Sequence, residues 1–380
     1  MEILEKILKR DKMEHGKYFR RKLSLPFCEN SPSREVLNLY GAPRVGKSVL
    51  ARMTADYFKT PLILECKDPR ITPFLANIMD ALPAFIKEHC NDILILDDWD
   101  NLESLQESTL SLLNHIPISI LVVSKLPIDH FTTFQLYGID FEEYISFSHH
   151  PLELEHLFNS FLHDGTLLEI SLLEEYKKDY RKQEIIQLIQ CEKQGKHNIL
   201  LSILPYMGHK VTPHHLYTQV KKSFSISKDT IYSLIKYYKD ASLLFLLSKF
   251  DQSSAAKKLY FWDFSLSNAI SYERNFSALF ENMIFLELLK TKYHIYYGDT
   301  LEFLLLNNFH SSQHSYVGVL VAPFLSFEAI LKRLKKVKKE FPFLSKVFVI
   351  TLGLNQEGEN EHILYRILPF WEFALGDKEW

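Results

Sequence analysis

The pattern of apolar positions changes character along the chain. Up to residue 147, short aliphatic runs alternate with stretches of helical periodicity. Residues 36–40, 62–66, 93–96, 118–123 and 144–147 read as strands, and 49–58, 74–90 and 102–114 as helices. Such alternation predicts an α/β domain with a mainly parallel sheet covered by helices on both faces. From 151 to 194 the period is helical throughout, with Leu154, Leu157, Phe158 and Phe161 on one stripe, predicting a small helical lid. Next come helices at 200–204, 213–223 and 230–238, the last capped by Ser227. Two apolar runs, 243–247 and 258–262, flank the turn-forming Asp251-Gln252-Ser253-Ser254, and three helices with a hairpin predict a winged helix. The remainder reads as a helix at 276–289, strands at 295–297, 303–306, 317–321 and 347–352, and a basic helix near 330–339. The expected domains are 1–150, 151–196, 197–265 and 266–380.

Between the first strand and the first helix stand Gly41, Ala42, Pro43, Arg44, Val45, Gly46, Lys47 and Ser48, with Val49 following. This is the G-x-x-x-x-G-K-[ST] phosphate loop in its required strand–loop–helix context. Its glycines let backbone N–H groups turn inward, and the helix start adds free N–H groups and a positive dipole end. Lys47 is expected to reach the β- and γ-phosphates, and the Ser48 hydroxyl to take a Mg²⁺ position. A second motif, Ile93-Leu94-Ile95-Leu96-Asp97-Asp98, carries two acids to the carboxyl end of a buried strand, where ligands bind in open α/β sheets. Asp97 fits a Mg²⁺-holding role and Asp98 the orienting of an attacking water, as the catalytic candidate. Asp98 is one methylene shorter than a glutamate, which predicts slow hydrolysis. Ser124 and Lys125 follow the strand at 118–123, as a γ-phosphate sensor or as a solvent-facing strand end. ATP and Mg²⁺ are the expected ligands.

Composition adds exclusions. The 380 residues are 47% hydrophobic and 24% charged with a net charge of -3, values of an ordinary globular protein and not of a nucleic-acid coat. Cys28, Cys66, Cys90 and Cys191 are scattered, without zinc spacing, and suggest reduced thiols. The charged N-terminus is helical in pattern and unlike a signal peptide, and no apolar run reaches membrane length. A soluble, cytoplasmic protein is expected. The pairs His149-His150 and His214-His215 diverge on regular elements and read as surface or cap residues.

With these motifs and their order, the chain resembles a family of bacterial and archaeal AAA+-superfamily ATPases whose C-terminal domain, of unknown function, is related to restriction endonucleases. The family's loop, Gly-Pro-Arg-x-x-Gly-Lys-Thr/Ser, is matched at Gly41, Arg44, Gly46, Lys47 and Ser48. Its Lys-x-Tyr-Phe-x-Asp appears as Lys258-Leu259-Tyr260-Phe261-Trp262-Asp263, and its Glu-Asn-x-x-x-x-Glu-Leu as Glu281, Asn282, Glu287 and Leu288. An Ile367-Leu368-Pro369 segment stands near the end. The resemblance implies a P-loop NTPase (AAA+-like) sheet followed by a helical lid, a winged helix and a PD-(D/E)xK-like α+β domain. It implies a Mg²⁺-dependent ATPase, with a nucleotide-gated interaction switch of little turnover and an ATP-dependent DNA nuclease as alternatives.

Three departures qualify that picture. The family's Gly-Arg pair after the fourth strand is Gly138-Ile139 here, so the candidate arginine finger is missing, and Arg44 and Arg70 are poor replacements. Asp98 replaces the usual Glu. The nuclease set is broken: Glu302 could serve as its acid, but Tyr316-Val317-Gly318-Val319-Leu320-Val321 lacks the acid-x-Lys. The third winged-helix helix offers Lys228, Lys236 and Lys239, with Lys221 and Lys222 upstream and Asp229 and Asp240 against them, so DNA or a protein partner fits. The run Lys332-Arg333-Leu334-Lys335-Lys336-Val337-Lys338-Lys339 reads as the solvated face of an amphipathic helix or as a phosphate-contacting surface. An oligomer is compatible with the family.

Overall fold

A computed structural model describes residues 20–27, 34–148, 153–191, 199–270, 275–307 and 315–376. The chain divides into two compact units, one ending at Tyr137 and the other beginning at Gly138. Cys28, His149 and His150 lie outside the described residues, as does the side chain of Cys191. Among the described residues, Cys66 is buried and Cys90 exposed, both as free thiols, and no helix is long and apolar enough to cross a membrane.

The first unit is a five-stranded parallel sheet. Its strands are β1 (Val36–Tyr40), β2 (Pro61–Glu65), β3 (Ile93–Asp97), β4 (Ser119–Ser124) and β5 (Thr132–Gln135), in the order β2-β3-β4-β1-β5. Helix α1 (Lys47–Ala55) packs against β2, β3 and β4. Helix α2 (Leu75–His89) gives Ile78, Met79, Leu82, Phe85 and Ile86 to a core with Leu62, Leu64, Leu94, Leu96, Ile120 and Val122. A 3-10 segment, Trp99–Leu105, leads into α3 (Gln106–Leu113). All five residues of β3 are buried, as a strand covered on both faces requires.

The fifth strand is not where the apolar pattern put it. Residues 144–147 belong to helix α4 (Phe141–Phe147), the first helix of the second unit. Asp140 caps it in a reciprocal capping box with Glu143, and Phe141, Tyr144 and Phe147 are buried at helical spacing. The true edge strand, β5, carries Thr132, Thr133 and Gln135, polar residues typical of a sheet edge that leave no aliphatic run to detect.

The helical stretch after residue 153 resolves into α5 (Leu154–Asp164), α6 (Leu168–Ser171) and α7 (Glu175–Cys191). There follow α8 (Ile199–Ile203), β6 (Lys210–Val211), α9 (Pro213–Ser223), α10 (Lys228–Asp240), β7 (Leu244–Leu247) and β8 (Lys257–Phe261). The three strands form an antiparallel sheet in the order β6-β8-β7. Ser227 caps α10, its hydroxyl accepting the Thr230 N–H.

Helix α11 (Phe276–Leu289) is apolar nearly all round and buried from Ala278 to Leu288 except at Glu281. Beyond it lie β9 (His294–Tyr296), β10 (Phe303–Asn307), β11 (Ser315–Val321), α12 (Phe327–Glu340), β12 (Lys346–Thr351), β13 (Gln356–Asn360), β14 (Ile363–Pro369) and α13 (Phe370–Leu375). The strands make a six-stranded mixed sheet, β13-β14-β12-β11-β10-β9. Ile330, Leu334 and Val337 of α12 seal its core. The hairpin of β13 and β14 escapes sequence detection because Gln356-Glu357-Gly358-Glu359-Asn360 is a polar edge.

Candidate functional site

Strand order sets the site. β4 lies between β3 and β1, so its carboxyl end separates the phosphate loop from the acids of the second motif. In register, Tyr40 lies opposite Ser124 and Leu96 opposite Val122. Gly41, Lys125 and Asp97 therefore leave the sheet along one edge.

The loop leaves β1 at Gly41, whose φ of 149° is tolerated by glycine. A Cβ there would sit 2.3 Å from the Leu136 carbonyl oxygen, because Leu136 donates its N–H to Tyr40 O. Gly41→Ala is expected to destabilise the first unit by about 3 kcal/mol, the cost of an overpacked site that backbone must relieve. Denaturant unfolding checks this, and an unchanged midpoint would contradict it. Arg44 and Gly46 both take left-handed φ values, 69° and 98°, turning the chain so that α1 begins with Lys47. The backbone N–H of Leu50 then donates to Gly46 O as the first helical bond. Ser48 and Val49 are exposed at that helix start, where unpaired N–H groups offer themselves to an anion.

Lys47 Nζ donates to the carbonyls of Gly41 (2.7 Å) and Ala42 (2.9 Å), closing the loop on itself. Burial lowers its pKa to about 8; the charges of Asp100, Asp98 and Asp97 work against that fall and the charge of Lys125 works with it. Burial also raises Asp97 above the ordinary carboxylate range. A hydrogen bond from Ser48 opposes the rise, and the neighbouring Asp98 charge adds to it. Asp97 Oδ1 further accepts the Asp98 N–H at 2.9 Å. A hydroxyl and a carboxylate are hard oxygen donors of the kind that suit Mg²⁺, and a bound cation would oppose the effect of burial by favouring the ionised form of Asp97. Asp98 turns away from β3 with φ 55° and remains half-buried.

Ser124 faces inward. Its hydroxyl accepts from Asn38 Nδ2 at 2.8 Å and donates to Leu126 O, and the residue is 2% exposed. The hydroxyl thus serves the strand end and Asn38.

Two residues escaped the sequence reading. Asp100, on the 3-10 segment, accepts the Lys125 backbone N–H at 2.7 Å, and burial raises its pKa. Its only signal is its place three residues after Asp97. Arg21 is 8% exposed and donates to Val45 O (2.7 Å) and Tyr137 O (2.9 Å), bracing the loop crest against the chain beyond β5. No local pattern marks it. Arg70 is held by Asp68, at 2.9 Å and 3.1 Å from Nε.

In the second unit two of the acids noted in the sequence, Glu302 and Glu281, are paired with cations. Glu302 pairs with Arg333 and accepts the Val321 N–H at 2.9 Å. Glu281 accepts from Lys258 (2.8 Å) and from the Tyr260 hydroxyl (2.5 Å). On α12, Lys335 pairs with Glu361, and Lys338 caps the Pro342 and Leu344 carbonyls. The solvated-face reading accounts for these cations. On α9 and α10, Lys221 lies over the Tyr217 ring and Lys228 over Tyr232. Tyr238 is buried as packing. His215 receives the Thr212 cap through its N–H.

No family model matches the chain. It is 24% identical to the uncharacterized protein MJ1544 of Methanocaldococcus jannaschii over 392 aligned positions, covering 89% of this chain and 87% of the relative. Among solved structures, one described under the structural basis for katanin self-assembly covers 54% of this chain and 78% of its own, with 13% identity and a TM-score of 0.30. The crystal structure of the FIGL-1 AAA domain covers 54% of this chain and 77% of its own, with 12% identity and a TM-score of 0.31. Scores of this size establish no common fold.

Proposed function

We propose that the first unit binds Mg·ATP and hydrolyses it slowly, in an AAA+-like protein whose second unit carries a lid, a winged helix and a degenerate nuclease-like sheet. The observation that supports this reading is the phosphate loop itself, with left-handed turns at Arg44 and Gly46 and the Lys47 ammonium at the start of α1, set one strand away from Asp97 at the end of β3. In it, the backbone of the Gly41, Ala42, Pro43, Arg44, Val45 and Gly46 loop and the Lys47 ammonium hold the phosphates. Ser48 and Asp97 hold Mg²⁺, which when bound neutralises phosphate charge. Asp98 orients water at the end of β3. Slow turnover is favoured because Asp98 is short and because Arg70 and Arg21 are engaged at Asp68 and at backbone carbonyls. Calorimetric titration with ATP and with GTP in saturating Mg²⁺ tests the reading. Saturable heat from at least one supports it, and no heat from folded protein rejects it.

Lys47 makes the reaction pH-dependent in a defined direction. With its pKa lowered to about 8, the ammonium is largely present at pH 7 and largely lost at pH 9. Affinity for ATP should then fall about tenfold between these values. The terminal phosphate titrates near pH 6 and so is already ionised across this window. Stability moves oppositely. The folded pKa lies below the unfolded one, so the unfolded chain binds more protons from about pH 8 to 10.5, and this group's contribution to stability rises through that window. Affinity that stays flat from pH 7 to 9 would contradict the assignment.

A further inference from the structure

We propose that Arg21 is a positioning residue that aims the Gly46 N–H into the phosphate loop and thereby sets the loop's affinity for the phosphates that ATP and ADP share. The inference rests on the nucleotide reading above and concerns the same site.

Arg21 reaches the loop from a segment that precedes the motif. Along residues 21–27 burial alternates: Arg21 is buried, Leu23, Leu25 and Phe27 are partly covered, and Lys22, Ser24 and Pro26 are exposed. A period of two marks an extended chain. Its far end is pinned where the Phe27 ring meets Phe58 edge-on at 5.7 Å, and Phe58 lies three residues beyond the end of α1. From Arg21 to Phe27 an extended chain spans about 20 Å, and from Gly46 to Phe58 a helical rise covers about 18 Å. The segment is thus a strap of the length of α1, fastened by Phe27 near one end of the helix and by Arg21 at the other.

The contacts of Arg21 bear on one peptide group. Its Nη1 donates to Val45 O at 2.7 Å and its Nη2 to Tyr137 O at 2.9 Å. Every described peptide bond is trans, and in a trans peptide the carbonyl and the N–H point to opposite sides. Holding Val45 O toward the strap therefore turns the Gly46 N–H away from it. Gly46 is left-handed, with φ 98° and ψ 23°, and Lys47 opens the right-handed α1. That pairing gathers successive N–H groups into an anion-binding nest, of which the Gly46 N–H is the first. A Cβ on Gly46 would lie 3.4 Å from Nη1, so the guanidinium also covers the outer face of the loop. Its second arm rests on a fixed point. The Tyr137 hydroxyl donates to Gln135 Oε1 at 2.9 Å, which also accepts from the Tyr40 hydroxyl at 3.1 Å. A planar fork can hold two carbonyls at once, which an ammonium does less rigidly. An N–H already aimed before the anion arrives costs little ordering on binding. The backbone cradle serves phosphates common to both nucleotides, so loosening it weakens ATP and ADP alike.

Calorimetry on the whole chain with Mg·ATP and Mg·ADP tests this. Arg21→Ala should weaken both about tenfold, the scale of one hydrogen bond to a charged group, and should leave the ratio of the two affinities within about twofold of the parent's. Arg21→Lys keeps the charge without the fork and should recover only part of the loss. A second readout follows the peptide itself. The chain has two Val–Gly pairs, Val45-Gly46 and Val317-Gly318, so labelling valine carbonyl carbon and glycine nitrogen isolates two amide signals by NMR. With saturating Mg·ADP the Gly46 proton signal should move downfield in the parent and far less in Arg21→Ala, while Gly318 of β11 stays in place. Lost stability alone does not produce that pattern. Parent-like affinities in Arg21→Ala, a loss confined to one nucleotide, full recovery in Arg21→Lys, or a Gly46 signal that moves as in the parent would each overturn the positioning role with nucleotide binding intact. If Arg21→Ala does not fold, Arg21→Lys decides by the same measurements: weaker binding of both nucleotides with a smaller Gly46 shift supports the role, and parent-like behaviour overturns it. Binding of neither nucleotide by the unaltered chain would remove the nucleotide reading, and this inference with it.

Discussion

Lys47→Ala is expected to lower Mg·ATP affinity by about a hundredfold, since bonds between an ammonium and phosphate oxygens are among the stronger charge-assisted contacts. The fold should survive. The ammonium is held by two carbonyls, Gly41 O and Ala42 O, yet its pKa is depressed because burial outweighs the three nearby carboxylates. A group whose charged form is disfavoured by its surroundings contributes little net stability, so alanine should change the unfolding midpoint little. Calorimetry and denaturant unfolding on the same preparation separate the outcomes. Unchanged affinity would remove Lys47 from the phosphate site. Lost affinity together with lost structure would instead recast it as a scaffold residue.

A large effect on stability is expected at Asp263. Its carboxylate is 1% exposed and accepts four hydrogen bonds: from the N–H and hydroxyl of Thr166 and from the N–H and hydroxyl of Ser265. A Cβ on Gly165 would fall 2.4 Å from the same carboxylate, so that residue is glycine for space as well as for its φ of 83°. Asp263→Ala strands the N–H groups of Thr166 and Ser265, while their hydroxyls can turn to Trp262 O and Asp164 O, and a cost of about 3 kcal/mol is expected for two buried donors left unpaired. For a unit of this size that is a drop in Tm of about 10 °C. Asp263→Asn should recover part of the loss, because one amide oxygen can still accept. Differential scanning calorimetry checks both, and a variant within about 1 kcal/mol of the parent would show that water replaces the carboxylate.

The parts of this architecture that announce themselves in the sequence are those where local chemistry is obligatory. The glycines of the phosphate loop are required by backbone conformation, Ile93 to Leu96 by burial on both faces, and Ser227 by the unpaired N–H groups it caps. Edge strands β5 and β13 stayed hidden because solvent permits polar residues there. Helix α4 was misread as a strand because Tyr144-Ile145-Ser146-Phe147 favours strands, and only the Asp140–Glu143 capping box argued otherwise. In the site, the loop and Asp97 carried their own motif. Arg21 and Asp100 act on backbone groups 24 and 25 residues away, and such partnerships leave no spacing to read.

Helix α11 has a consequence for how the second unit holds together. Glu287 accepts the Phe141 N–H at the start of α4, Asn282 bonds both the N–H and the carbonyl of Phe261 in β8, Phe280 meets Phe370 of α13, and Phe285 stacks near Phe303 of β10. One rod with almost no wettable side thus serves as the common hub for the bundle, the hairpin and the terminal sheet. Pieces that share a hub of this kind cannot be cut apart as independent modules. A fragment lacking residues 276–289 would leave each remaining piece with an open apolar seam, so order in this half of the molecule is collective.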